Sequence, residues 1–156
     1  MAIAPKLQKY LADQKAEYDV IAHDATMSST RTAQACHVSG NCLAKGVVLR
    51  TGNGYVLAVV PASHHIRLSD LGREFGPDVG LASEEEIQRL FPDCARGAVP
   101  ALGQCYGLNV MVDASIEEPA EVYLEGGDHA SLIHMSRTQF AKLMAPTRHG
   151  RFSMHG

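Results

Sequence analysis

Lys45 is the first residue whose surroundings suggest chemistry. It lies within the apolar stretch of residues 43–49, LAKGVVL, where an ammonium group needs a partner or a pocket. Such a cation can bind a phosphate or a carbonyl oxygen. The alternative is a lysine on the solvent face of a half-buried strand, because lysines are mostly exposed. The pattern alone is compatible with both, so Lys45 is a candidate catalytic residue.

A second candidate segment is the loop at residues 97–103, GAVPALG, which has a glycine at each end. Glycine lets the backbone approach a ligand closely, and the N–H groups of such a loop can stabilise a developing oxyanion. A plain connecting loop would have the same composition. The candidate binding residues here are Gly97, Ala98, Val99, Pro100, Ala101, Leu102 and Gly103.

The third segment, GGDH at residues 126–129, places a carboxylate next to an imidazole. We take Gly127 and Asp128 as candidate binding residues and His129 as a candidate catalytic residue. A hairpin turn with a solvated histidine is the alternative, because Gly-Gly-Asp is common in turns.

Several enzyme classes are disfavoured because their signatures are missing. The sequence contains no G-x-x-x-x-G-K-[ST], H-E-x-x-H, G-x-S-x-G or G-x-G-x-x-G. The four cysteines, at positions 36, 42, 94 and 105, have spacings that match no close-pair zinc motif. We therefore expect no metal and no other cofactor. A cysteine hydrolase that uses Cys42 or Cys105 remains an alternative.

Composition limits the remaining classes. The 156 residues are 46% hydrophobic and 20% charged, as expected for one domain, and the net charge is −3. Any contact with nucleic acid must therefore come from a local basic face. The longest apolar run, residues 56–62, is too short to cross a membrane, and residues 1–10 lack the apolar part of a signal peptide. We expect a cytoplasmic protein without membrane contact.

Periodicity and turn signals predict alternating helices and strands. Leu7, Tyr10 and Leu11 have helical spacing, Thr51-Gly52-Asn53-Gly54 is typical of a hairpin, and Ser83 with Glu86 forms a capping box. The predicted helices are residues 5–16, 28–35, 68–75, 84–90 and 137–144. The predicted strands are residues 18–22, 42–50, 55–61, 108–113, 121–124 and 131–134.

These elements predict an α/β fold, with a mixed, mostly antiparallel sheet or partial barrel and helices packed outside. Hairpin signals outnumber crossover lengths, which favours antiparallel pairing. We expect one domain over residues 1–146, followed by a loose basic tail at residues 147–156.

In their order and spacing, these segments resemble the YbaK-type aminoacyl-tRNA deacylases, the family that includes the editing domain inserted in bacterial prolyl-tRNA synthetases. The resemblance runs from about Leu7 to Pro146. It rests on the segments at residues 43–49, 59–64, 91–94, 97–103, 108–113, 126–129 and 135–136.

The resemblance implies hydrolysis of the ester that joins a wrong amino acid to the 3′ adenosine of a tRNA, without a metal. It also implies that Lys45 is central, that the loop at residues 97–103 borders the aminoacyl pocket, and that His129 lies nearby. The chain departs from the family pattern at Ala101, where proline is common, and at Leu102, where an aromatic residue is common. A third departure is Gly46, where many relatives have a polar residue.

We therefore expect a free-standing trans-editing deacylase that acts on tRNA carrying a small amino acid, namely Ala, Ser, Thr or Cys. Its expected partners are the aminoacylated 3′ end of tRNA and an aminoacyl-tRNA synthetase. The alternative is a non-catalytic module on the same fold that binds tRNA or a synthetase. The candidate residues for a basic face are Lys45, Arg50, Arg67 and Arg73, with Arg148 and Arg151 in the tail.

Overall fold

The computed structural model describes residues 3–22, 39–128 and 130–155. The predicted helix at residues 28–35 and the candidate residue His129 lie outside the described residues. Within them, one eight-stranded sheet and one two-stranded sheet are packed with four α-helices. None of the described helices is long and apolar enough to span a membrane.

A β-hairpin forms the centre of the large sheet. Its strands are β2 (Leu43–Thr51) and β3 (Gly54–Pro61), and the two residues between them form the turn that the sequence predicts. The other strands are β1 (Asp19–Ala22), β4 (His64–Ile66), β5 (Gly80–Leu81), β6 (Asn109–Asp113), β7 (Glu121–Glu125), β8 (Ser131–Ser136), β9 (Arg148–Gly150) and β10 (Ser153–His155).

The strand order of the large sheet is β1-β8-β7-β2-β3-β6-β9, and β5 pairs separately with β2. The pairs β2–β7, β3–β6 and β6–β9 are parallel, and the remaining pairs of described strands are antiparallel. β10 pairs with β4 in the small sheet. With β1 and β9 at its two edges the large sheet is open, and the predicted mixed, mostly antiparallel sheet is confirmed.

The α-helices are α1 (Pro5–Asp13), α2 (Leu68–Phe75), α3 (Glu84–Leu90) and α4 (Arg137–Met144). The predicted bounds of α2, α3 and α4 are confirmed. Helix α1 ends three residues earlier than predicted, because Lys15 adopts a positive φ of 53° and the N–H of Ala16 donates to the carbonyl of Leu11. Helices commonly end at a glycine in this conformation, so a helix end at a non-glycine residue is hard to predict from the sequence.

The two faces of the central hairpin contact different parts of the core. Ala44 and Val48 of β2 belong to the larger cluster, which also contains residues of α1 and α4. Leu49 belongs to a second cluster with Val60 and Phe152. Successive strand residues point to opposite faces, so β2 contributes side chains to both clusters.

The C-terminal segment differs from the loose tail that the sequence predicts. Residues 148–150 and 153–155 form β9 and β10, and Phe152 between them is 1% exposed. The N–H of Phe152 donates to the buried carboxylate of Asp113 at 2.7 Å. Strands of three residues are too short for periodicity to identify, so tertiary contacts decide this segment.

Asp113 stabilises this segment through its ionised form. Burial raises the pKa of its carboxyl, but hydrogen bonds from Ser115 and from the N–H of Phe152 outweigh burial and lower the pKa below its ordinary value. The resulting stabilisation is present above the ordinary aspartate pKa, and is lost as the pH falls through the lowered one.

We expect Phe152→Ala to lower the free energy of unfolding by about 3–5 kcal/mol, because it removes a fully buried aromatic side chain. Met154→Ala is the control; Met154 is 51% exposed, and we expect it to cost less than about 0.5 kcal/mol. Urea unfolding of both variants measures the difference. Small and equal losses would show that the C-terminal segment does not pack as described.

Candidate active site

One edge of β2 is paired at both ends and unpaired in the middle. Near its start, Leu43 and Ala44 pair with β7. Near its end, Leu49 and Arg50 pair with β5. No described strand pairs with residues 45–48 on this side, although the carbonyl of Val48 accepts a hydrogen bond from Ala82, and we call this stretch the open edge. An unpaired strand edge is a ready template for hydrogen bonding to another molecule.

A pocket of about 260 Å³ borders the open edge. It is lined by Gly46, Val47, Val48, Leu81, Ala82, Glu84, Ile87, Gly97 and Val99. Its walls are mainly apolar; the charged lining residue is Glu84, whose Oε2 lies 3.3 Å from Nε of Arg96. We call this cavity the edge pocket.

Lys45 lies at the start of the open edge, directly before Gly46 of the pocket lining. It is opposite Val60 in the hairpin, so its side chain lies on the face of the second cluster and not on the face of Gly46. The side chain is half-buried and makes no hydrogen bond or ion pair with a described residue. Burial lowers the pKa of its ammonium group. An unneutralised cation in this position is suited to binding an anionic ligand.

Only the first part of the glycine loop reaches the edge pocket. Gly97, which has a positive φ of 81°, and Val99 line it. The remaining loop residues are buried, and Ala101 and Leu102 belong to the larger core cluster. The two departures from the family pattern at these positions therefore contribute to the core and do not line the pocket.

The turn at residues 126–128 begins where β7 leaves the edge of β2. The carbonyl of Gly126 accepts a hydrogen bond from Ala4, and the carbonyl of Gly127 accepts one from Ala95 at 2.6 Å. A side chain at Gly127 would lie 2.8 Å from Cβ of Ala4, and its φ is +100°. The turn is thus held between the N-terminal segment and the residues just before the glycine loop. This contact brings the three segments selected from the sequence around one strand edge.

Asp128 uses both carboxylate oxygens inside its own turn. Oδ1 accepts from the N–H of Ala130 at 2.9 Å, and Oδ2 accepts from the hydroxyl of Ser131 at 3.1 Å. This is the local pattern by which aspartate stabilises a turn. Asp128 therefore shapes the turn in this structure, and it does not line the edge pocket.

Asp93 is a positioning residue that the sequence pattern does not identify by itself. Its carboxylate accepts hydrogen bonds from the N–H of Lys6 at 3.0 Å and from the hydroxyl of Tyr106 at 2.7 Å. It thereby joins the start of α1 to both ends of the segment that contains the glycine loop. The sequence feature that could have indicated Asp93 is the segment at residues 91–94, which carries part of the family resemblance.

Helix α3, which supplies Glu84 and Ile87 to the pocket wall, is held by Glu86. The side chain of Glu86 and that of Ser83 form the predicted capping box. Tyr55 donates its hydroxyl to Glu86, and Arg50 lies 3.5 Å from it. The hydrogen bonds from Ser83 and Tyr55 lower the pKa of Glu86 to about 2, so it is ionised at neutral pH.

The described cysteines are poorly suited to act as nucleophiles. Burial raises the pKa of Cys94 and of Cys105 to about 12, and it also raises that of Cys42. Thiols with raised pKa values stay protonated at neutral pH, and the thiolate is the reactive form. In the part of the chain that the structure describes, no group of three or more His, Cys, Asp or Glu side chains is arranged to hold a metal ion.

The chain is similar to a known family of protein domains. The profile of the aminoacyl-tRNA editing domain family matches residues 23–143. No curated protein matches the chain significantly.

Two similar solved structures show the same fold. One is a "putative trans-editing enzyme for prolyl tRNA synthetase", with a TM-score of 0.84 and 22% identity over 97% of this chain and 96% of that one. The other is a hypothetical protein, with a TM-score of 0.84 and 18% identity over 96% of this chain and 99% of that one. Since the profile covers most of the sequence, the chain belongs to the aminoacyl-tRNA editing domain family.

Proposed function

We propose that this protein is an editing deacylase that acts in trans on mischarged tRNA and hydrolyses the ester between the amino acid and the 3′ terminal adenosine. Membership of the editing-domain family supports this activity. The observation that carries the proposal is the open edge of β2. It combines a cation that no described residue neutralises, Lys45, with an apolar pocket of about 260 Å³.

Lys45 and the edge pocket have different roles in this proposal. The ammonium group of Lys45 binds the anionic end of the tRNA, which carries phosphates. The edge pocket receives the aminoacyl group. Hydrolysis of an activated ester then needs a positioned water molecule and hydrogen-bond donors directed at the developing oxyanion.

The apolar walls of the edge pocket favour small aminoacyl groups, and we propose Ala, Ser, Thr and Cys as the substrate set. Glycine at two lining positions leaves space, while Val99 and Ile87 limit it. A hydrophobic pocket separates groups that differ by one methylene by only about 1–3 kcal/mol. The enzyme should therefore accept more than one of these amino acids. A synthetase that produces the mischarged tRNA is the proposed protein partner.

A non-catalytic module that binds tRNA or a synthetase is the second candidate. Both carboxylate oxygens of Asp128 accept hydrogen bonds within its own turn. This favours the binding module, because Asp128 is then not free to activate a water molecule. Turnover of charged tRNA separates the two candidates, since a binding module would bind the tRNA without releasing the amino acid.

We expect Lys45→Ala to lower kcat/KM for deacylation by about 100-fold, because it removes the cation that positions the substrate. The measurement uses tRNAs charged with Ala, Ser, Thr, Cys and Pro, and follows release of each labelled amino acid.

Lys142→Ala is the matched control. Lys142 is exposed in the last turn of α4, so its removal should change neither folding nor kcat/KM. Unchanged turnover with Lys45→Ala would contradict the role of Lys45. Failure of the wild-type protein to release any of the five amino acids would instead favour the binding module.

We expect the double variant Cys42→Ser/Cys105→Ser to keep its deacylase activity within about two-fold, because protonated thiols do not act as nucleophiles. The same labelled-tRNA assay measures this. Complete loss of activity in a variant that retains its circular dichroism spectrum would support the cysteine hydrolase instead.

The basic residues differ in whether they are free to bind the phosphates of tRNA. Arg67 lies 2.8 Å from Asp70 and Arg148 lies 3.0 Å from Glu74. Arg73 and Arg151 make no ion pair with a described residue. Since an arginine paired with a carboxylate must give up that partner to bind phosphate, the two unpaired arginines are the better candidates for contacts with tRNA.

We expect Arg73→Ala and Arg151→Ala each to weaken binding of all tRNAs similarly, and to reduce the slope of log affinity against log salt concentration by about 1. Filter binding at several salt concentrations measures the slope. Arg67→Ala is the control and should change it less. Affinity that does not depend on salt in the wild-type protein would rule out this mode of binding.

A further inference from the structure

The backbone of β2 alternates in direction along the open edge. The carbonyls of Cys42 and Val48 accept from Tyr123 and Ala82, on the side of β7 and β5. The carbonyl of Leu43 accepts from Ala62, on the side of β3. Even-numbered residues of β2 therefore direct their N–H and C=O groups away from β3. Gly46 follows this alternation, so both of its backbone groups point toward the open edge.

The N–H and C=O of Gly46 have no hydrogen-bond partner among the described residues, and Gly46 lines the edge pocket. Backbone groups of this kind are strong and obligatory hydrogen-bonding groups. In an antiparallel sheet, a residue in this orientation exchanges two hydrogen bonds with the one residue opposite it. Gly46 thus offers one donor and one acceptor, spaced to match the carbonyl and the amine of a single amino acid.

We propose that Gly46 binds the aminoacyl group of the tRNA as if it were one residue of an antiparallel strand. The α-ammonium group of the substrate donates to the carbonyl of Gly46, and the ester carbonyl accepts from the N–H of Gly46. This inference rests on the proposed deacylase function and assigns the groups that recognise the substrate in it.

The direction of such a pair agrees with the rest of the site. An antiparallel partner runs opposite to β2, so the ester and the nucleotide extend toward Lys45 and the end of β7. The amine lies toward Val47. The cation is therefore at the end of the substrate that carries phosphate.

The chirality of an L-amino acid also agrees with the position of the edge pocket. Side chains of directly opposed residues lie on the same face of a sheet. An L-amino acid opposite Gly46 therefore directs its side chain to the face of Val48 and Val99, which line the edge pocket. The opposite face, where Lys45 lies, would receive the side chain of a D-amino acid.

In this arrangement the N–H of Gly46 also serves the reaction. Water adds its oxygen to the carbonyl carbon, and the electron pair of the C=O bond moves to the oxygen that Gly46 holds. The bond to the 3′ oxygen of the ribose then breaks, and that oxygen leaves with a proton from the water. The products are the free amino acid and uncharged tRNA.

Glycine at this position leaves space on two sides. A Cβ on Gly46 would lie 2.9 Å from Cδ1 of Leu57, which packs beneath it. It would also lie about 5 Å from the Cβ of an opposed residue, on the face where the substrate side chain must fit. The departure from the polar residue of many relatives is therefore consistent with recognition by the backbone itself.

The first test is NMR titration of the ¹⁵N-labelled full-length protein with non-hydrolysable adenosine analogues. We expect 3′-(L-alanylamino)-3′-deoxyadenosine to shift the Gly46 amide resonance strongly. The 3′-propionylamino analogue lacks the amine, and should bind at least about 10-fold more weakly because a charged hydrogen bond is lost. The D-alanyl analogue should also bind more weakly than the L-alanyl analogue.

A pair of variants provides the second test. In Leu57→Ala the space below Gly46 is enlarged, so Gly46→Ala can be added without the clash. We expect the double variant to lose more kcat/KM on threonyl-tRNA than on alanyl-tRNA, relative to Leu57→Ala alone, because the new methyl group takes up space on the face where the larger substrate side chain must fit.

The outcomes separate this inference from the proposed function. If the L-alanyl analogue binds and other amides shift while that of Gly46 does not, the inference is wrong and the deacylase proposal stands. Equal affinity for the amine-containing and amine-free analogues also overturns it. If no analogue binds and no charged tRNA is hydrolysed, both proposals fail.

Discussion

Strand β2 is hydrogen-bonded along its whole length on one side and only near its ends on the other, and the site depends on this asymmetry. Full pairing with β3 fixes the alternation of its residues. Pairing with β7 and β5 at the ends holds the open edge between them. A strand paired along both sides would have no free backbone groups, and an unpaired strand would not hold them in place.

The alternation of β2 separates the two chemical properties of the site. Lys45 faces the second cluster, whereas Gly46 faces the larger cluster and the edge pocket. A cation and an apolar pocket are therefore adjacent along the chain but on opposite faces of the sheet. A ligand that has both an anionic and an apolar part can contact both only by lying across the strand edge. An aminoacyl ester of a nucleotide is such a ligand.

Polar side chains hold the loops that surround this edge. Asp93 bonds the start of α1 and Tyr106, and Glu86 bonds Tyr55 from the first turn of α3. Asp128 bonds residues of its own turn. These carboxylates are used for positioning, because networks of satisfied hydrogen bonds favour one arrangement of the loops. Along the open edge, by contrast, backbone groups of β2 remain available to a ligand.

The local elements could be predicted because their signals are local. The turn at residues 52–53 and the capping box of Ser83 and Glu86 act within a few residues of chain, and the structure has the elements they predict. The mixed sheet and the three candidate segments also followed from spacing and from the family resemblance. Lys45 could be selected because a cation in an apolar strand is conspicuous.

Contacts between distant residues decided the rest. The burial of Phe152 depends on a hydrogen bond to Asp113, 39 residues earlier. No hydrophobic periodicity in the C-terminal segment predicts this burial. The burial of Ala101 and Leu102, while Gly97 and Val99 line the pocket, depends on how the glycine loop packs against the larger cluster. The sequence by itself determined the longer strands, the turn at residues 52–53 and the bounds of α2, α3 and α4, because those preferences act between neighbours. Only the tertiary structure decided which edge of β2 stays unpaired, because that depends on where β7 ends and β5 begins.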